Sequence, residues 1–163
     1  MGIRLLLASA AVFAFAAPAW AQSTPVSFSP EFQNSLEETY GVREGEVLRT
    51  AVSDAISREL TRRGVSADSA SIEVTIVNAE PNRPTMQQMF DRPSLDMRSI
   101  SVGGAELRAT VHGANGATTE VTHRRFNHSL EDILGAATTW SEARHAIRQF
   151  AVKVADAYIA TPR

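Results

Sequence analysis

The sequence predicts an α+β fold in which a mixed or antiparallel sheet of about four strands carries two main helices on one face. Two long segments, at about 46–63 and 140–160, repeat their apolar residues with the spacing of an amphipathic helix. The segments 72–77 and 107–111 alternate apolar and polar residues, as half-buried strands do. The resulting order, strand, helix, strand, long loop, hairpin and helix, is typical of α+β domains.

The N-terminal segment has the three parts of a secretory signal peptide. Arg4 precedes an apolar run from Leu5 to Ala17, which a proline and the sequence Ala19-Trp20-Ala21 follow. The run is shorter than the ~20 residues that a membrane-spanning helix requires. We therefore expect cleavage of residues 1–21 near Ala21, leaving a periplasmic or secreted domain, 22–163, without a stable membrane anchor.

Composition narrows the possible chemistry. The chain has no cysteine, which excludes disulfides, thiol catalysis and cysteine-based metal sites. Its formal net charge of −2 argues against a general attraction to nucleic acid or to anionic membrane surfaces. We expect no cofactor and no nucleic-acid partner.

Local sequence signals place the elements of the first half of the chain. Val26–Phe28 reads as a short strand, and Ser29-Pro30 favours the start of a short helix that ends at Gly41. The first main helix, 46–63, ends before Gly64. The short helix carries three large side chains toward the core at every fourth position, namely Phe32, Leu36 and Tyr40.

The second half is predicted to contain a hairpin and a capped helix. The strand Ile100–His112, interrupted by two glycines, leads to a turn at Asn115-Gly116 and a return strand Thr118–Asn127. A strict two-residue turn would place Val111 opposite Glu120, so we expect a longer or bulged connection that pairs Val111 with Val121. The last helix has Thr139 and Glu142 as a possible capping box.

An irregular loop at about 79–99 is the predicted partner-binding segment. Its prolines stiffen the chain and its methionines and phenylalanine adapt to an apolar partner, so that little entropy is lost on binding. A short helical turn can form at Met86–Phe90. The alternative to a binding segment is a rigid crossover whose methionines cap the sheet. The candidate residues are Pro81, Asn82, Arg83, Pro84, Thr85, Met86, Met89 and Phe90.

Histidines and arginines near the hairpin supply two further candidate sites. His112 and His123 would lie near each other across the hairpin, with His128 following, so a small metal site is conceivable. Arg124 and Arg125 are candidates for binding an anion, although neighbouring strand residues point to opposite faces and cannot form one clamp. No sequence pattern of a zinc hydrolase, a nucleophile elbow or a phosphate-binding loop is present.

Three function classes follow from these observations. The first is a non-enzymatic binding or envelope-accessory module, whose partner is another envelope protein or a small ligand. The second is a metal-dependent or hydrolytic enzyme that acts on an envelope substrate. The third is a binder of anions or glycans.

Four short segments carry a resemblance. They are Tyr40-Gly41-Val42-Arg43-Glu44, Pro81-Asn82-Arg83-Pro84-Thr85, Gly103-Gly104-Ala105-Glu106-Leu107 and Thr139-Trp140-Ser141-Glu142-Ala143. Together they resemble uncharacterised exported proteins of Gram-negative bacteria, a group to which no activity is attached. The layout also resembles small α+β domains of envelope-assembly and transport-accessory proteins. Such relatives are often lipid-anchored through a cysteine, which this chain lacks.

Overall fold

The computed structural model describes residues 24–66, 70–113, 116–129, 131 and 138–161. The predicted signal peptide lies outside these residues. The described part contains one four-stranded mixed sheet, in the order β1-β2-β3-β4, and confirms the α+β prediction. Its elements are β1 Val26–Phe28, α1 Pro30–Ser35, a π-helical turn Leu36–Tyr40, α2 Val42–Arg62, β2 Ser71–Glu80, α3 Met86–Asp91, β3 Gly104–His112, β4 Thr118–Phe126 and α4 Ser141–Ala160.

The predicted short helix is divided into α1 and the π-helical turn. The Oγ of Ser29 accepts a hydrogen bond from the backbone N–H of Phe32 at 3.1 Å, which caps α1 as the sequence predicts. The N–H of Gly41 donates to the carbonyl of Leu36 at 2.8 Å and closes the wider turn. Gly41 has a φ of 96°, which favours glycine, and it allows α2 to begin at Val42, earlier than predicted.

A β-bulge lengthens β2 beyond its predicted end. Ile76 pairs with Leu107 and Asn78 with Glu106, so Val77 is the extra residue. The strand therefore turns Ala79 toward the core and continues to Glu80. The bulge turns Ala79 rather than Asn78 toward the core, so the irregular segment begins at Pro81, two residues after the predicted start at about 79.

The hairpin has the predicted longer connection but not the predicted register. β3 ends at His112 and β4 begins at Thr118, and the turn residue Asn115 lies outside the described residues. Val121 stands opposite Ala109 rather than Val111. The predicted register would have placed Arg124 opposite another arginine, whereas the observed one places it opposite Glu106.

The two main helices run parallel to each other on one face of the sheet. At their N-terminal ends the Nε1 of Trp140 donates to the Oε2 of Glu44 at 2.6 Å. At their C-terminal ends Arg63 lies 2.9 Å from Asp156. This arrangement follows from the topology, because α2 joins the parallel strands β1 and β2 and α4 returns from β4, which runs in the direction of β2.

The core lies between these helices and the sheet. α4 packs over β3 and β4, and α2 packs beside it over β1. The opposite face of the sheet carries polar side chains such as Glu73, Arg108 and Thr110. The largest fully buried side chains are Phe32, Phe150, Leu36, Leu48, Ile56, Leu60, Ile72, Ile76, Leu107, Ile147, Val52 and Val74.

Candidate functional site

The first half of the predicted partner-binding segment is buried. Pro81, Asn82, Pro84 and Thr85 all have buried side chains, with Asn82 at 0% exposed. Residues this deeply buried do not offer a surface to a partner. The structure therefore corrects the prediction that these four side chains contact a partner directly.

Asn82 joins three separate parts of the chain. Its Oδ1 accepts a hydrogen bond from the backbone N–H of Glu142 at 2.9 Å, and its Nδ2 donates to the carbonyl of Ser101 at 3.4 Å. Its backbone N–H donates to the carbonyl of Thr139 at 2.7 Å. Asn82 thus caps α4, and the predicted capping box of Thr139 and Glu142 is wrong, because the side chain that caps the helix comes from a distant segment.

The absence of a side chain at Gly103 leaves room for the side chain of Asn82. A side-chain carbon at Gly103 would lie 2.6 Å from the amide atoms of Asn82, which is closer than non-bonded atoms approach. Nearby, the Oγ of Ser101 donates to the carbonyl of Pro81 at 2.6 Å. The segment that precedes β3 is therefore fastened to the segment that follows β2.

The helix α3 projects from this fastened base. The Oγ1 of Thr85 accepts from the backbone N–H of Gln88, whose side chain accepts from the backbone N–H of Thr85, so a complete capping box starts the helix. Met86 and Phe90, one helical turn apart, share a face and are 74% and 85% exposed. Met89 is half-buried. The predicted helical turn at 86–90 is confirmed, and it holds two large apolar side chains in solvent.

The chain after α3 adds two further exposed apolar residues. Met97 and Ile100 are both exposed. The Nη1 of Arg83 donates to the carbonyl of Met97 at 2.9 Å, and the Oδ1 of Asp96 accepts from the backbone N–H of Ser99 at 3.0 Å. The irregular segment 92–101 is therefore held by specific hydrogen bonds beside the base of α3.

Arg124 and Arg125 point to opposite faces of β4, as strand geometry predicts. The Nε of Arg124 lies 3.2 Å from the Oε2 of Glu106 on the helix-free face, and its guanidinium stacks over Phe126. The Nη2 of Arg125 lies 3.3 Å from the Oε2 of Glu142 on the helix-covered face. Each candidate anion-binding arginine therefore already has a carboxylate neighbour.

The predicted histidine cluster is not assembled. His112 lies on the helix-free face, where its Nε2 is 3.8 Å from Glu73, whereas His123 faces α4 and contacts Gln149. His128 is exposed beyond the end of β4. Within the described ranges, no three histidine, aspartate or glutamate side chains converge as metal ligands would. The two-histidine site fails because His112 and His123 point to opposite faces of the sheet.

Among the residues that the structure describes, Tyr40 and His123 have shifted pKa values. Burial, and secondarily the carboxylate of Glu80, raises the pKa of Tyr40, whose ring packs edge-on against Trp140 at 5.9 Å. Burial lowers the pKa of His123, and the ammonium of Lys153 lowers it further. The two ring nitrogens of His123 lie 3.2 Å from the Oε1 of Gln149 and 3.1 Å from the Nζ of Lys153, both on α4.

No known protein family model matches the chain, and no curated protein matches it. A solved structure of a minor lipoprotein from Acinetobacter baumannii is similar to it, with 12% sequence identity and a TM-score of 0.35. The match covers 85% of this chain and 94% of the lipoprotein. Across the described residues, none of the helices has the combined length and hydropathy of a membrane span.

The sequence interpretation missed a groove along the outer seam of α2 and α4. Arginines from both helices line it, in pairs four residues apart: Arg58 and Arg62 on α2, and Arg144 and Arg148 on α4. The spacing of each pair was readable in the sequence. Only the parallel packing of the two helices shows that the pairs face one groove.

Proposed function

We propose that the chain is an exported, non-enzymatic binding module of the cell envelope, periplasmic or secreted, whose partner is another envelope protein. The exposed pair Met86 and Phe90 on α3 is the observation that carries this proposal. Aromatic and methionine side chains are enriched at the contact centres of protein interfaces. In a soluble domain, an aromatic ring that is 85% exposed contributes little to the core.

The rigidity of the base supports a binding role for α3. A capping box starts this short helix, and Asn82 fastens the preceding residues to α4 and to Ser101. A preformed surface loses less conformational entropy when a partner docks. Pro81 and Pro84 act here as stiffeners of the base rather than as contacts, which is the role that remains for them once they are buried.

Co-purification from the native envelope tests this function. The mature protein is cross-linked in cells and purified, and bound proteins are identified by mass spectrometry. We expect one abundant partner, whose recovery falls at least tenfold when Met86 and Phe90 are both replaced by alanine. Because both side chains are exposed, the double variant should keep the melting temperature of the wild type.

Ile159→Ala is the matched control. Ile159 is a large apolar residue on α4 that is 50% exposed, so its replacement removes exposed apolar surface at a site away from α3. The partner should be recovered in full with this variant. Equal recovery of every partner with the Met86/Phe90 double variant would overturn the proposal.

Export is tested separately. The intact mass of the protein isolated from fractionated cells should correspond to a chain that begins at Gln22, as the sequence Ala19-Trp20-Ala21 predicts. The processed form should be found in the periplasmic or extracellular fraction. A full-length chain confined to the cytoplasm would contradict the envelope assignment without bearing on the surface of α3.

A further inference from the structure

The groove between α2 and α4 has a floor of small or apolar side chains and a rim of four arginines and two carboxylates, Asp54 and Glu59. It consists of two adjoining depressions, with volumes of about 150 and 380 Å³, that share Ala55, Arg58 and Arg148. Ala55 and Ala151 are buried beneath it. An alanine fills little of the space between two helices, so the longer arginine side chains flank an open channel.

The charges of this channel are unbalanced. Arg58 lies 3.8 Å from Asp54 in an exposed pair, and Arg62 lies 2.6 Å from Glu59. Glu59 also lies 3.0 Å from Arg63, so its single charge is shared between two arginines. In the part of the chain that the structure describes, neither of the α4 arginines has a carboxylate within ion-pair distance. The channel is therefore positive, although the whole chain is acidic, with a net charge of −2.

The two arginines of α4 do not stand where helix stability would place them. Arg144 is in the first turn of α4, where the helix dipole disfavours a positive charge. Arg144 and Arg148 are four residues apart, and like charges at this spacing destabilise a helix. Helix stability therefore does not account for this cationic pair.

We propose that the α2–α4 groove binds a ligand that carries two or more phosphate groups. A guanidinium group forms two parallel hydrogen bonds with a phosphate and keeps its charge at any physiological pH. Residues four apart on a helix rise by about 6 Å, and packed helices lie about 8–10 Å apart. The rims thus present four cationic positions along a channel rather than one point, which suits separate phosphate groups on one molecule. This site is independent of the proposed α3 surface.

Calorimetric titration of the mature protein with tripolyphosphate tests the proposal. The variant Arg144→Gln/Arg148→Gln should bind at least tenfold more weakly than the wild type. Affinity for the wild type should fall as salt is raised, because part of the attraction is screened. Arg144→Lys/Arg148→Lys keeps both charges but loses the bidentate geometry, so its affinity should lie between the two.

The control removes two arginines elsewhere. Arg98 and Arg108 are exposed and lie outside the groove, Arg108 on the opposite face of the sheet, so Arg98→Gln/Arg108→Gln causes the same change in net charge. It should bind tripolyphosphate within twofold of the wild type. Equal weakening in both double variants would show attraction to overall charge and would overturn the site.

A second binding experiment, with lipid vesicles, distinguishes a lipid headgroup from a free phosphate compound as the ligand. Flotation with cardiolipin vesicles, compared with phosphatidylcholine vesicles, reports binding to a lipid that carries two phosphate groups. Loss of either interaction in the Arg144/Arg148 variant but not in the control supports the groove and names the source. If the folded wild type binds neither tripolyphosphate nor the anionic vesicles, the proposal is wrong.

Discussion

The Oδ1 of Asn82 accepts a hydrogen bond from the backbone N–H of Glu142 at 2.9 Å, so a residue that follows β2 caps a helix 60 positions further along the chain. The same side chain donates to the carbonyl of Ser101. One buried amide therefore fixes the base of α3, the start of α4 and the approach to β3. The geometry of the proposed binding surface depends on this residue.

Replacement of Asn82 by alanine should destabilise the protein by about 1–3 kcal/mol, because a helix cap and a buried hydrogen bond are lost together. The free energy of unfolding, from urea denaturation, measures the loss. Asn82→Asp is the informative companion: it keeps an acceptor for Glu142 near the positive end of the helix dipole but cannot donate to Ser101. A change below about 0.5 kcal/mol in Asn82→Ala would contradict the capping role.

Gly103→Ala should also destabilise the protein, since the added methyl carbon would lie 2.6 Å from the amide of Asn82. The two substitutions should not be additive. In the Asn82→Ala background the amide that would clash with the new methyl group is absent. Gly103→Ala should therefore lower the free energy of unfolding less in that background than in the wild type. A double-mutant cycle by urea denaturation measures this coupling. Additive effects would mean that Gly103 is required for another reason.

The long helices and the inward faces of the strands could be predicted from the sequence because their periodicity is local. The segment 140–160 corresponds to α4 almost residue for residue. The bulge at Val77 and the register that places Val121 opposite Ala109 depend on cross-strand partners. The charge signs of Glu106, Arg108 and Arg124 did carry information on that register, since of the two registers that keep the apolar faces together only the observed one avoids facing arginines.

The candidate site likewise combines features that local sequence predicts with features that depend on distant segments. The capping box of Thr85 and Gln88 is a local pattern, and the helical turn that follows it was predicted correctly. The burial of Asn82 and the exposure of Phe90 were not predictable, because each depends on which distant segment packs against the loop. The arginine groove likewise exists only where two helices, far apart in sequence, run side by side.

Arg63 should contribute more to stability than other surface arginines. Its side chain is 19% exposed and bridges Glu59 on α2 and Asp156 on α4, while its Nη1 donates to the carbonyl of Val152. Arg63→Ala would separate the two helices at this end and leave the nearly buried Glu59 with one partner. We expect a loss of about 1–3 kcal/mol in the free energy of unfolding.

Arg58→Ala is the control for that comparison. Arg58 and Asp54 form an exposed pair four residues apart on the same helix, and such pairs contribute roughly 0.3–0.5 kcal/mol. Urea denaturation of both variants under identical salt conditions measures the difference. Equal losses would show that Arg63 does not join the helices more strongly than an ordinary surface ion pair.

His123 should make stability depend on pH. Burial and the charge of Lys153 lower its pKa in the folded state, and the nearby groups Arg125 and His145 act in the same direction, whereas the hydrogen bond to Gln149 opposes them. A lowered pKa means that the unfolded chain binds the proton more readily, so this contribution weakens the fold as the pH falls below about 6.5. Above that pH both states are neutral at this position, and the contribution vanishes.

The test compares melting temperatures between pH 7.5 and pH 5 for the wild type and for His123→Gln. We expect the wild type to lose more stability on acidification than the variant, because glutamine has no proton to bind. His128→Gln, at an exposed position beyond β4, should retain the wild-type dependence.

Replacing Lys153 by glutamine should raise the pKa of His123, which an NMR titration of the imidazole measures directly. An unchanged pKa in that variant would mean that the charge of Lys153 does not contribute to the lowering.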